Sequence, residues 1–324
     1  MGKTVFKGIH AMKLIMAYLV VAIHTTDWSL MGLLDTAVPF FFLVSGFFLF
    51  RKLGGTRAED RTVIRSWIGK TLQMYFLWTL IYLPFTFIGF HRDGLPLTSA
   101  IALFLRNLVL VGENYLSWPL WYLLAMVWGG ILIWLMRWLR IPVWGMFLVG
   151  LTLYLSAYFF QLDSVPAYVK LFKTTRNGIF LGLMFLTAGG LIHRWTEHGP
   201  KLSIPQLWDL LLIAIGFAAY QFSPLFLLPL AAGLFLLAYR TELPLIDDRT
   251  AILMGGMSKY IYLTHMIFAG LAILLAGMTT GWPLWLLSSA CATALAALFA
   301  GPLKNTRINQ WLFNEYNRDS YIKL

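Results

Sequence analysis

The sequence predicts an all-α, polytopic membrane protein of about ten transmembrane helices with both termini in the cytoplasm. Three observations carry that reading. Hydrophobic residues make up 59% of the 324 and charged residues only 12%, against roughly 25% charge in a soluble domain, and mean hydropathy is +0.73. Apolar runs long enough to cross about 30 Å of hydrocarbon as helices recur along the chain. The basic residues fall almost entirely on alternate connections, as the positive-inside rule requires.

Apolar stretches between charged or Pro/Gly-rich breaks place helices near 9–29, 36–53, 66–90, 118–137, 141–161, 177–195, 205–221, 223–240, 254–277 and 282–303. The first keeps Lys13 and His24 inside it and runs directly to a second span, so it reads as a retained helix rather than a cleaved signal. Segment 97–111, interrupted by Arg106, is too short to span and reads as an amphipathic or re-entrant piece on the outer face. Arg140 and Pro142 divide 118–161, and Ser223-Pro224 divides 205–240.

With the N-terminus inside, the inner segments collect Lys3, Lys7, Arg51, Lys52, Arg57, Arg61, Arg65 and Lys70. Further along they take Arg137, Arg140, Arg194, Lys201, Arg240, Arg249, Lys304, Arg307, Arg318 and Lys323. The outer segments hold Arg92, Arg106, Lys170, Lys173 and Arg176. The net charge of +11 is therefore a topological signal, and nucleic-acid binding, which needs a basic soluble face, is not expected. One membrane domain is expected over 1–324, with a short inner N-terminus and a tail at 304–324. Cys291 is the one cysteine, which excludes a disulfide framework and a cysteine metal site; no metal is expected.

Ionisable groups at membrane depth cost roughly 2.5–3.5 kcal/mol each, so they call for water, a partner or a function. Lys13 and His24 are eleven residues apart, about three helical turns plus 20°, which puts both on one face about 16 Å apart along the axis. Lys13 alone can snorkel; His24 has no such route. Asp27, one turn beyond His24, is a candidate to orient or charge its imidazole. In AVPFFFLVSGFFLF (37–50), Ser45-Gly46 permits close backbone approach or a kink. In SKYIYLTHMIF (258–268), Ser258, Tyr262 and the mid-span His265 share a helical face. The tryptophans Trp118, Trp121, Trp128, Trp134, Trp138 and Trp144 read first as interfacial belt and helix packing. Gly129-Gly130 and Gly189-Gly190 read as close helix contacts. His10, His193 and His198 lie at interfaces and receive no role.

Lys13-x10-His24 resembles the Arg/Lys-x10-His signature of the membrane acyltransferase-3 family. VPFFFLVSGFFLF (38–50) resembles its FFxxSG second helix, and WPLWYLLA (118–125) one of its helix starts. RNGIFLGLMFLTAGGLI (176–192) resembles its glycine-rich middle span, and SKYIYLTH (258–265) its late S-x-x-x-Y-L-x-H motif. Order and spacing agree from residue 8 to about 303. Within the family the wording is most similar to the enterobacterial-common-antigen acetyltransferases and to the membrane part of vancomycin-resistance serine racemases. The chain departs in having Lys13 where arginine is commoner. It also carries Arg65 and Lys70 where the family has a tighter Arg-x-x-Arg followed by proline. No esterase or racemase domain is recognisable, so the chain reads as a standalone membrane unit.

The resemblance implies transfer of an acyl group, usually acetyl, from cytoplasmic acetyl-CoA to a hydroxyl of a cell-envelope glycan or lipid-linked sugar, in a bacterial inner membrane. Lys13, Arg51, Arg65 and Lys70 would hold the CoA phosphates. His24 would act as general base or carry the acyl group, with Asp27 orienting it. Tyr262 or His265 would stabilise the oxyanion or fix the His24 tautomer. Ser45, Glu113, Trp121, Arg176 and Asn177 would contact the acceptor. Oligomeric state stays open, a homo-oligomer included. The rival expectation is a carrier of a small polar solute such as serine, since polar groups in a bundle also mark substrate paths. Matched broken helices in two halves, the mark of many carriers, are not recognisable. A membrane scaffold without chemistry would leave Lys13-x10-His24 and SKYIYLTH unexplained.

Overall fold

The computed structural model describes residues 5–28, 32–198 and 206–313; Lys3, Lys201, Arg318 and Lys323, assigned inside above, lie outside them. The helices in chain order are α1 (Lys7–Thr25), α2 (Ala37–Phe50), α3 (Arg57–Arg92), α4 (Leu97–Arg106), α5 (Leu120–Trp138), α6 (Val143–Phe159) and α7 (Pro166–Phe172). They continue with α8 (Leu183–His198), α9 (Leu207–Tyr220), α10 (Leu227–Arg240), α11 (Asp248–Ala276), α12 (Trp282–Ala300) and α13 (Arg307–Phe313). Among the described residues there is no strand. Six helical segments are long and apolar enough to cross a membrane: α1, α3, α5, Gly178–Glu197, α11 and α12. Shorter apolar helices, Leu34–Phe50, Val143–Phe159, Leu207–Tyr220 and Pro224–Arg240, fill the other expected positions.

The largest departure from expectation is α3, which starts at Arg57 rather than near 66 and runs 36 residues, about 54 Å. Its first turns are charged and carry no apolar signal. They are held by a capping box, in which Thr56 Oγ1 accepts from the Glu59 N–H and the Thr56 N–H donates to Glu59 Oε2. Those bonds hold the Glu59 carboxyl below its ordinary range. Asp60, 3% exposed, accepts from the Gly54 N–H and pairs with Arg137 at the end of α5. Segment 97–111 forms α4 followed by a π-helical turn, Asn107–Val111. Leu97, Ile101, Leu105 and Val109 form its exposed stripe, and Arg106 donates to the Lys170 carbonyl. Two short helices lie where none was expected: α7 before the glycine-rich span, and α13 within the tail.

α2 packs along α8 at van der Waals distance because both present glycine to the other's backbone. A Cβ at Gly46 would strike the Leu186 carbonyl oxygen, and one at Gly189 the Leu43 carbonyl oxygen. Gly189→Val is therefore expected to part the two helices and lower stability by about 1–3 kcal/mol, the usual cost of overpacking. Gly256→Ala is the control, since nothing lies within 4 Å of a Cβ there. Thermal unfolding midpoints in detergent decide it, and equal midpoints for the two variants would refute the close-packing account.

α13 docks against α3, α11 and α12. Trp78 Nε1 donates to the Leu312 carbonyl at 2.9 Å and Lys259 Nζ to the Phe313 carbonyl at 2.9 Å. Asn309, fully buried, shares a 3.0 Å hydrogen bond with the Tyr260 hydroxyl and donates to the Phe299 carbonyl.

Candidate active site

Two cavities enter the bundle from opposite ends. The lower one, at the Lys13 end, encloses about 820 Å³ between α1, α2, α3, α5 and α11. Lys13, Lys52, Lys70 and Lys259 line it with Thr62, Ser66 and Ser258, and above them the wall turns apolar through Val44, Phe48, Met74 and Leu263. Its closed end is made by Phe41, Ser45, Tyr122 and Tyr262. Lys13 Nζ also donates to the Gly255 carbonyl at 3.0 Å. Lys13, Lys52 and Lys70 on the lining and an apolar depth suit a ligand with an anionic head and a neutral tail, while the Lys259 ammonium is turned to the Phe313 carbonyl.

The upper cavity encloses about 540 Å³ and is lined by His24, Trp121, Tyr154, Tyr158, Tyr220, Arg176, Asp35 and Asp163, among others. Asp35 Oδ2 accepts from the Tyr220 hydroxyl at 2.7 Å, and Asp35 Oδ1 lies 3.8 Å from the Arg176 guanidinium. Asp163 accepts from the Thr175 N–H and hydroxyl, which fixes the chain leading into Arg176. Acceptor-only carboxylates, phenol hydroxyls and flat aromatic faces together suit a polyhydroxylated ligand.

Between the cavities lie two histidines. The His24 and His265 rings stack with centroids 5.5 Å apart at 18°, and Trp118 packs on His24 at 5.6 Å. Both partners of His265 Nδ1 are carbonyls, Ile261 at 3.1 Å and Tyr262 at 2.9 Å, so that nitrogen carries the proton in the neutral ring. Nε2 then bears a lone pair, is buried, and has no hydrogen-bond partner among the described residues. Neutral His265 can accept a proton or a hydrogen bond through Nε2, but cannot donate one from it.

The structure gathers some of the sequence-predicted residues and separates others. Lys13, Lys70, Ser45 and Tyr262 line the lower cavity, and His24, Trp121 and Arg176 the upper. Arg51 lies instead against the Phe6 ring and Glu197, and Arg65 is exposed outside both cavities. Asp27 is exposed and accepts from Thr280 at 2.9 Å. Glu113 pairs with Lys173. The buried Asn177 side chain caps the turn into α8, accepting from the Ile179 and Phe180 N–H groups. Sequence reading passed over Lys52, Lys259, Asp35, Tyr154 and Tyr220. Lys259 had a usable signal, a cation inside an apolar run three residues before Tyr262; the others depend on tertiary placement.

An all-helical bundle of apolar helices, entered by a cavity from each end with two stacked histidines between them, defines a multi-pass membrane protein. The profile of the acyltransferase-3 family, an acyltransferase domain, matches residues 6–301. The chain belongs to that family. It is similar to a serine/alanine racemase of Enterococcus gallinarum, 30% identical over 217 residues, which is 59% of this chain and 30% of the relative. An amino-acid racemase of Enterococcus faecalis is 28% identical over 232 residues, 65% of this chain and 31% of the relative. The matched region is thus about three tenths of the length of these relatives. No solved structure matches the chain significantly.

Proposed function

We propose that the chain is a single membrane domain of about ten spans, with both ends inside a bacterial inner membrane, that moves an acetyl group outward. The donor is acetyl-CoA, entering the lower cavity from the cytoplasm. The acceptor is a hydroxyl of a cell-envelope glycan or lipid-linked sugar in the upper cavity. The observation that carries this reading is the pair of cavities, basic below and hydroxyl- and aromatic-rich above, that approach each other at Trp121 and Tyr122, with His24 lining the upper one.

Lys13, Lys52 and Lys70 hold the CoA phosphates, and the thioester arm extends along the apolar wall. His24 removes the acceptor's proton as its oxygen attacks the thioester carbonyl. The ester C–O bond forms, the C–S bond breaks, and the proton passes from His24 to the leaving sulfur, giving free CoA. His265 stacks its ring on His24 and so holds that imidazole in position beside the upper cavity. The oxyanion falls to the hydroxyls of Tyr262, Tyr122 and Ser45. Tyr262 now donates to the Pro119 carbonyl at 2.8 Å, so it turns from that carbonyl to serve. Asp35, Arg176 and Trp121 hold the acceptor.

The test is release of free CoA from acetyl-CoA by the purified protein in detergent, with binding followed in parallel. Slow release without added acceptor, accelerated by an envelope glycan extract, is the expected result. Binding without release, or neither, overturns the reading. A second reading has one observation in its favour. The Arg176–Asp35 pair offers opposite charges to an amino-acid zwitterion, and the relatives are named as racemases of serine, alanine and other amino acids. That reading, a carrier, requires serine uptake into liposomes and no CoA release.

A further inference from the structure

The partition between the cavities is one residue thick on α5: Trp121 lines the upper cavity and its neighbour Tyr122 the lower. On α2 the change is nearly as abrupt, with Val38 and Pro39 facing up and Phe41 facing down. The Tyr122 ring fills the closed end of the lower cavity, packed by Phe42 at 4.6 Å, Tyr262 at 5.5 Å and Phe41 at 6.3 Å.

The two tyrosines of this closure are held differently. The Tyr262 hydroxyl is fixed to a backbone carbonyl, that of Pro119. The Tyr122 hydroxyl shares its 3.0 Å hydrogen bond with Ser45 Oγ, a small side chain that rotates freely and itself faces the lower cavity. Tyr122 is therefore the member of the closure whose hydrogen bond goes to a rotatable side chain rather than to backbone, and it stands between the lower cavity and Trp121 of the upper. The lower cavity beneath it is apolar, through Val44, Leu123 and Met126, so the neutral acyl end of a donor is what meets the ring.

We propose that Tyr122, latched by Ser45, is the residue that both closes the partition and limits the acyl group to a short chain. This rests on the acyl-transfer reading above. A short acyl carbon passes beside a slightly displaced ring, whereas a long chain must take the ring's own place.

Two readouts on the full chain test it. The first is independent of chemistry: Val38→Cys in a Cys291→Ser background, exposed in sealed vesicles to a sulfonated thiosulfonate reagent from the Lys13 side. The second is CoA release from acetyl-CoA against octanoyl-CoA. With Tyr122 intact, Val38→Cys is expected to label slowly and acetyl-CoA to be the preferred donor. Tyr122→Phe, which keeps the ring and loses the latch, is expected to label several-fold faster with the donor preference kept. Tyr122→Ala is expected to label fastest and to shift the acetyl-to-octanoyl ratio at least tenfold toward octanoyl.

Tyr122→Phe and Tyr122→Ala proteins that elute as folded and keep both the wild-type labelling rate and donor ratio overturn the proposal. Labelling that rises while no variant, nor wild type, releases CoA from either donor refutes acyl transfer and the chain-length limit, and leaves the latch standing as a seal.

Discussion

Replacing His24 with alanine is expected to lower CoA release from acetyl-CoA by about 10²–10⁴-fold, the range a positioned general base supplies. Acetyl-CoA binding should persist. The separation follows from geometry: His24 lines the upper cavity, while the lysines proposed above to hold the donor's phosphates line the lower one. His265→Gln is expected to reduce turnover less, and to leave the Michaelis constant for acetyl-CoA unchanged, because His265 acts through His24. Its signature is a shifted pH profile, since the ring stacked on His24 and its buried lone pair are lost. Undiminished release by His24→Ala would remove His24 from the chemistry.

Arg137→Ala is expected to be the most destabilising single change at the basic end. Asp60 is 3% exposed and would be left buried with the Gly54 N–H as its remaining donor among the described residues. Stranding one partner of a buried pair costs about 3–5 kcal/mol. The reverse change, Asp60→Asn, leaves an arginine already 34% exposed, which water solvates, so its cost is smaller. Thermal unfolding in detergent should rank Arg137→Ala below Asp60→Asn, with the double variant Arg137→Met/Asp60→Leu recovering part of the loss. The same pair ties the 51–56 connection and the start of α3 to α5, so Arg137→Ala should also raise the acetyl-CoA requirement through Lys52 and Lys70. Equal stabilities of the two single variants would mean that Asp60 is solvated.

The apolar runs revealed the membrane class and most helices, because hydrocarbon imposes a length and a composition that show directly in sequence. The eleven-residue spacing of Lys13 and His24 put both on one face of α1, where each lines a cavity, and the SKYIYLTH run held the second histidine. Helix ends in water were harder: the first turns of α3 lack apolar residues, although Thr56 and Glu59 spelled out the capping box. Side-chain direction was hardest. Arg176 and Asn177 are neighbours, yet one faces the upper cavity while the other caps a helix; Arg51 and Lys52 divide in the same way. Such choices depend on which helix lies alongside, and Asp35 meets Tyr220 only through the packing of distant segments.

The thin partition at Tyr122 has an electrical consequence. Where solvent fills both cavities, nearly the whole transmembrane potential drops across that single layer of side chains. Moving an elementary charge through it involves work of about 2.3 kcal/mol per 100 mV, so a polyanionic nucleotide would be driven or resisted several times over. An acyl group is neutral and crosses without electrical work. On the acyl-transfer reading proposed above, only a neutral group crosses that layer, while the charged carrier and the membrane voltage both stay where they are.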